Sequence, residues 1–222
     1  RLLDLCLVIH AEHGGGNNSA FTCRVLSSSG TDTYSAIAAA VGSLKGPKHG
    51  GANQRVAAMF DEIKENVGDW EDDDEISAYL EKILRKEAGD GSGLIYGMGH
   101  AIYTMSDPRA LVLKSSAREL ARKTGLLKEL ELLESIERLT PAVFARVTGS
   151  DKVMCANVDF YSGLIYRMLG IPEDLFTPLF AIARIAGWCS HRIEEVMTSN
   201  RIIRPAYKSL NHDRSYVPMS RR

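Results

Sequence analysis

Four of the six histidines lie in or beside three glycine-rich turns. The first turn reads His10-Ala11-Glu12-His13-Gly14-Gly15-Gly16-Asn17-Asn18-Ser19. The second reads Gly46-Pro47-Lys48-His49-Gly50-Gly51-Ala52-Asn53, and the third Gly97-Met98-Gly99-His100. Glycine lets a backbone approach a ligand closely, and turns carried on a rigid scaffold are where sites tend to sit. One histidine in such a place is more often structural than catalytic, but three separate glycine-flanked turns carrying histidine argue against coincidence. Two kinds of chemistry fit. His10, Glu12 and His13 invite a metal, yet they lack the i, i+4 helical pairing of a zinc protease, and no cysteine stands near. Acid/base and electrophilic chemistry fits better, with imidazole as hydrogen-bond donor and proton carrier near neutral pH. No metal is expected.

The elements that must position these turns are helices. Val56, Met59, Phe60, Ile63 and Val67 follow the spacing of one helix face, and Ile76, Tyr79, Leu80, Ile83 and Leu84 repeat it. The acidic run at residues 71–75 suits the positive end of the second helix and reads as a solvated helix start. Further helices are expected over roughly 110–124, 126–145, 157–169 and 173–199. Gly170 suits a helix stop, Pro172 a helix start, and Pro178 should kink the last helix or delay its beginning. No run alternates well enough to predict a strand, so the fold class is all-α. The segment after Tyr207 reads as a loose tail.

Composition sets the remaining bounds. The chain has 222 residues, 45% hydrophobic and 25% charged, with a net charge of -1. This is ordinary for a soluble domain and gives no general attraction to nucleic acid or to an anionic membrane. Cys6, Cys23, Cys155 and Cys189 are scattered without a CxxC pair, as buried reduced thiols would be. No apolar run approaches the ~18 residues of a membrane span, and no signal peptide opens the chain. With no address label, a cytoplasmic place is expected. The opening apolar run at residues 2–9 reads as the middle of a helix, so the chain reads as a fragment or processed piece.

Taken in order, the motifs resemble those of citrate synthases. The three turns already quoted are followed by Asp107-Pro108-Arg109, by Asn157-Val158-Asp159-Phe160-Tyr161-Ser162-Gly163 and by Arg204-Pro205. They appear in the family's order from about residue 10 to 205, so the chain looks like a C-terminal part that carries most of the active-site motifs. The resemblance implies a helical large domain made from residues 1–47 and 158–210, a small mobile domain on the CoA side at 48–157, and a tail at 211–222. It implies an acyltransferase of the tricarboxylic acid cycle that condenses acetyl-CoA with oxaloacetate, releasing citrate and CoA. Acetyl-CoA would be substrate, no cofactor would be tightly bound, and the assembly would be a homodimer.

The resemblance also implies residue roles. His49 would hold the thioester oxygen, Asp159 would remove the methyl proton, and His100 would hydrogen-bond the ketone of the oxo acid. His13, Arg109, Arg184 and Arg204 would bind that substrate, Arg204 by reaching across from the partner subunit. Ser19 would orient His49, with Asn17 beside it, and Gly97 and Gly99 would lie against CoA. The chemistry is coherent in its own right. A thioester methyl is a weak carbon acid, so its proton leaves only when a carboxylate base and a carbonyl-oxygen donor act together. Arginine suits a dicarboxylate because its planar fork pairs with carboxylate and stays charged.

Plainer readings stand beside these. Arg109 could form a surface ion pair with Asp107, and Asp159 could be a helix N-cap. Arg184 lies in an apolar stretch, so either a ligand carboxylate or a structural acid should face it. After His100 this chain has Ala101-Ile102-Tyr103-Thr104, where many members carry basic residues expected to hold CoA phosphates. Lys45 and Lys48 could contribute there. A 2-methylcitrate synthase using propionyl-CoA is the close alternative, because one methylene in an apolar pocket is worth only ~1–3 kcal/mol. An inactive all-α association fragment is the alternative of another class.

Overall fold

A computed structural model of the chain describes residues 1–99, 103, 105–199, 201–212 and 214–222. His100, the expected partner of the ketone, lies outside the described residues, as do Ala101, Ile102 and Thr104. Among the described residues the elements are helical. They run α1 (Leu2–His10), α2 (Asn18–Ser28), α3 (Thr33–Leu44), α4 (Ala52–Asn66), α5 (Asp73–Leu84), α6 (Pro108–Thr124), α7 (Leu127–Thr148), α8 (Val158–Met168) and α9 (Phe176–Thr198). The extended backbone that does pair is one isolated antiparallel bridge, Met98 with Ala156.

Local chemistry sets the helix limits. Asp72 caps α5 by accepting from the N–H groups of Asp74 and Glu75, and Asp73, Asp74 and Glu75 fill its first turn. Gly125 and Gly149, both left-handed, end α6 and α7. Gly170 does the same just past α8, at φ 71°. Pro178 falls in the first turn of α9, where a missing N–H costs nothing, so it delays the start rather than kinking the helix. Helices α2 and α3 lie outside the helical spans expected from sequence. Apart from Leu44, their buried faces are built from Ser19, Ala20, Cys23, Ser27, Ala36 and Ala40, residues too small to stand out as an apolar stripe.

The buried side chains form two clusters. The larger runs from Cys6 of α1 through α4–α8 to Phe176, with Ile63, Leu80, Leu113, Ile136 and Ile165 completely enclosed. The smaller joins α2 and α3 to α9 through Ala20, Cys23, Ala36, Ala40, Leu44, Phe180 and Trp188. Helix α9 touches α1, α2, α3 and α4, so it spans both clusters. The four cysteines are free: Cys6, Cys23 and Cys155 are buried and Cys189 partly so. No described helix is long and apolar enough to cross a membrane.

Candidate active site

A cleft of about 550 Å³ opens where the first two glycine turns meet the N-termini of α6 and α8 and the side of α9. His13, Asn17, His49, Arg109, Asp159 and Arg184 all line it, joined by Lys48, Asn157 and Phe180. Five residues expected to serve substrate, with Asn17 from the expected support of His49, thus come together from positions 171 residues apart at the extremes (13 and 184).

Asp159 occupies the second position of α8. It is not the N-cap; that is Asn157, whose side-chain oxygen accepts from the Asp159 N–H at 3.0 Å. The carboxylate is therefore released from capping. Its Oδ1 is buried with no hydrogen-bond partner among the described residues. Burial pushes the Asp159 carboxyl up to about 6, against the opposing pull of the Arg109 and Arg184 charges.

Arg184 is only 1% exposed. Its Nε donates to the His10 carbonyl at 2.6 Å, Nη1 donates to Asn17 Oδ1 at 3.3 Å, and the guanidinium lies 4.8 Å from the Phe180 ring centroid. Backbone and amide dipoles and an aromatic face thus hold the guanidinium, and the nearby charges of Glu12 and Asp159 favour its charged form. Among the described residues no carboxylate forms a salt bridge with it. Burial lowers it to about 10, which leaves it charged at neutral pH.

Arg109 does pair with Asp107, but the pair is not a surface one. Asp107 is buried and caps α6, its Oδ1 accepting from the Arg109 N–H at 2.9 Å and its Oδ2 from Nη2 at 2.7 Å. The Arg109 guanidinium lies 6.0 Å from the Tyr103 ring centroid, and the His13 ring lies 5.9 Å from that ring.

His49 Nε2 is 3.0 Å from Ser19 Oγ. Burial, and then the Arg184 charge, hold His49 down at about 4, so the ring is neutral at pH 7. Ser19 Oγ donates to Asn17 Oδ1 at 3.0 Å and accepts from Trp188 Nε1 at 3.0 Å.

Gly97 and Gly99 are not among the cleft-lining residues. At φ 79°, a side chain on Gly97 would meet Phe160 Cδ2 at 2.7 Å and Val56 Cγ2 at 2.8 Å, so the close approach it permits is to the protein's own core. Arg204 is exposed in the extended segment beyond α9 and does not line this cleft.

Three contributors escaped sequence reasoning. Trp188 holds Ser19. His191 Nε2 reaches Glu12 Oε1 at 3.0 Å, and Glu12 in turn accepts from the backbone N–H groups of His13 and Gly14. Glu12 is therefore spent on shaping the His13 turn, and among the described residues no group of three or more acids, histidines or cysteines could hold a metal. Gly187 leaves room for the Ala11 carbonyl and the Glu12 carboxylate, both of which any side chain there would strike. A signal existed: Arg184, Trp188 and His191 follow i, i+4, i+7, one face of one helix.

A neutral imidazole, a carboxylate poised to take a proton and two guanidinium groups around one cleft suit deprotonation of a weak carbon acid beside a bound anion. Residues 1–206 match the family profile described as citrate synthase, C-terminal domain. The chain is 43% identical to a citrate synthase from Synechocystis sp. over its whole length and 51% of that protein. It is 39% identical to 2-methylcitrate synthase 1 from Corynebacterium glutamicum, over 97% of this chain and 51% of that one. The structure of citrate synthase from Thermotoga maritima superposes with a TM-score of 0.78 at 34% identity, covering all of this chain and 56% of that one. A ternary complex of carboxymethyl coenzyme A and oxaloacetate with citrate synthase from Thermoplasma acidophilum gives 0.77 at 31%, covering all of this chain and 55% of that one. The chain spans about half the length of the curated relatives it matches. On this family match across residues 1–206, the chain belongs to the citrate synthase family.

Proposed function

We propose that this cleft joins acetyl-CoA to oxaloacetate. Asp159 takes a proton from the thioester methyl while His49 donates a hydrogen bond to the thioester oxygen, giving an enol or enolate. The new carbon nucleophile adds to the ketone carbon of oxaloacetate, polarised by His100, and the ketone oxygen takes up a proton. Water then cleaves the C–S bond, releasing citrate and CoA. His13, Arg109 and Arg184 hold the oxo acid. The observation that carries this reading is the placement of Asp159, a buried carboxylate oxygen without a partner among the described residues, in the same cleft as His49 and Arg184. The Thermoplasma acidophilum citrate synthase, solved with carboxymethyl coenzyme A and oxaloacetate together, supports the choice of substrates.

In this proposal residues 48–157 form the mobile CoA-side part, with Gly97 and Gly99 against CoA, and closure excludes water from the enolate. The working unit is a homodimer in which Arg204 serves the partner's cleft. Its exposure beyond α9 and the uncovered apolar side chains of Ile182, Ile193, Val196 and Met197 on α9 accord with this. Four free cysteines suit a cytoplasmic setting.

The test is thiol release. Protein carrying this chain, given oxaloacetate and acetyl-CoA, frees CoA that a thiol reagent detects. No release from the intact protein would overturn the proposal. Propionyl-CoA in place of acetyl-CoA tests the second reading, a 2-methylcitrate synthase, which the Corynebacterium glutamicum relative supports. A higher kcat/KM with propionyl-CoA selects it.

A further inference from the structure

Ser19 Oγ has three polar neighbours at 3.0 Å: Trp188 Nε1, His49 Nε2 and Asn17 Oδ1. A serine hydroxyl has one hydrogen to give and two lone pairs to receive with. Indole N–H only donates, so Trp188 takes one lone pair. A guanidinium has donors only, and Arg184 Nη1 bonds the same Asn17 Oδ1 at 3.3 Å, which fixes the amide with its oxygen toward Ser19. The Ser19 hydrogen therefore goes to Asn17. His49 is left with the second lone pair and must donate to it from Nε2. Because the ring is neutral at pH 7, Nδ1, the nitrogen left for the cleft, then carries a lone pair. A lone pair repels a developing oxyanion instead of stabilising it.

The same four side chains admit a second fully satisfied arrangement. If the Asn17 amide turns over, Nδ2 donates to Ser19. Ser19 then accepts from both Trp188 and Asn17, and its hydrogen goes to His49 Nε2. The ring proton must then sit on Nδ1, as a donor to the cleft. Arg184 Nη1 opposes this state, because it would face the Asn17 NH₂ group. Arg184 itself lines the cleft, within reach of an incoming anion.

We propose that Arg184, Asn17 and Ser19 form a tautomer switch for His49: a substrate carboxylate draws Arg184 Nη1 off Asn17, the amide turns, and Nδ1 of His49 changes from acceptor to donor. This rests on the reading of His49 as the group at the thioester oxygen. The proton count is unchanged, since water in the cleft supplies one proton to Nδ1 and takes one from Nε2. Trp188 is a positioning residue in the switch. Its N–H denies Ser19 the spare lone pair that would let it accept from Asn17 Nδ2 and from His49 Nε2–H together, so it makes the two states exclusive.

The tautomer is read by long-range ¹⁵N–¹H correlation on the ¹⁵N-labelled intact protein, with the His49 signals identified by their loss in His49→Gln. Without ligand, His49 is expected in the Nε2–H form, and saturating oxaloacetate should convert most of it to Nδ1–H. Asn17→Ala should move His49 toward Nδ1–H with no ligand present; Asn17 caps α2 without a side-chain bond, so the helix start survives. In Trp188→Phe, oxaloacetate should leave much of the ring as Nε2–H. An Nδ1–H ring in the free protein overturns the switch, as does an Nε2–H ring unmoved by Asn17→Ala. Failure of oxaloacetate to bind would overturn the functional reading instead, while the Asn17→Ala arm still decides the switch.

Discussion

The N-termini of α6 and α8 are built on one plan with the charges exchanged. In each, a cap residue accepts a hydrogen bond from the backbone N–H two residues on. At α6 the cap is the carboxylate of Asp107 and the second helical residue is Arg109; at α8 the cap is the neutral amide of Asn157 and the second helical residue is Asp159. Asp107 holds the Arg109 side chain through Nε at 3.0 Å and Nη2 at 2.7 Å. Asp159 has a buried Oδ1 with no partner among the described residues. A helix N-terminus favours an anion by ~0.3–1 kcal/mol, and the nearby arginines add to this. Burial outweighs both, because the Asp159 carboxyl is raised from 3.8 to about 6. One acid thus secures a helix and an arginine, and the other is left able to take a proton.

The largest expected effect separates the two acids by turnover. Asp159→Asn keeps the shape and removes the proposed base, so thiol release should fall by about 10²–10⁴-fold. Unchanged turnover would remove Asp159 from the chemistry. Next comes stability at α6. Asp107→Ala deletes both a cap and the buried half of an ion pair, so unfolding in urea should show a loss of about 3–5 kcal/mol. A loss under about 1 kcal/mol would place that pair with exposed ones.

The third effect depends on pH. The folded Asp159 carboxyl lies above its unfolded value of 3.8, so the native state binds the proton more tightly. Its penalty is absent below pH 4, grows through the interval to about 6, and is complete above that. Relative to Asp159→Asn, the unsubstituted chain should lose on the order of 3 kcal/mol between pH 4 and 8. Parallel stability curves for the two proteins would show that burial does not strain this acid. The smallest effect is Asn157→Ala, which should cost about 1 kcal/mol as an ordinary cap loss. A larger cost would mean that the bond from Asn157 Nδ2 to the Gly99 carbonyl, at 3.2 Å, matters more than the cap.

Much of the framework was legible because it is local. The apolar spacing of α4 and α5 reports which face meets the core, and Val56, Met59, Phe60, Ile63, Ile76, Leu80 and Ile83 are all buried as that spacing requires. The expected helix over 126–145 ran through Pro141, and α7 does continue past it to Thr148. The all-α class followed from helical spacing without alternating runs, and the meeting of His13, His49, Arg109, Asp159 and Arg184 from the family resemblance. Helices α2 and α3 did not, because small side chains leave a weak periodic trace.

By itself, the sequence determined where helices start and stop and which acids, bases and cations stand near the turns, since capping, glycine conformation and amphipathic spacing act over a few residues. Only the tertiary structure decided what state those groups are in. Arg184 is held by the carbonyl of His10, 174 residues away, and Ser19 by Trp188, 169 residues away. Desolvation and hydrogen bonding depend on what folding brings alongside, so the neutrality of His49 and the raised carboxyl of Asp159 exist only once the chain has closed around the cleft.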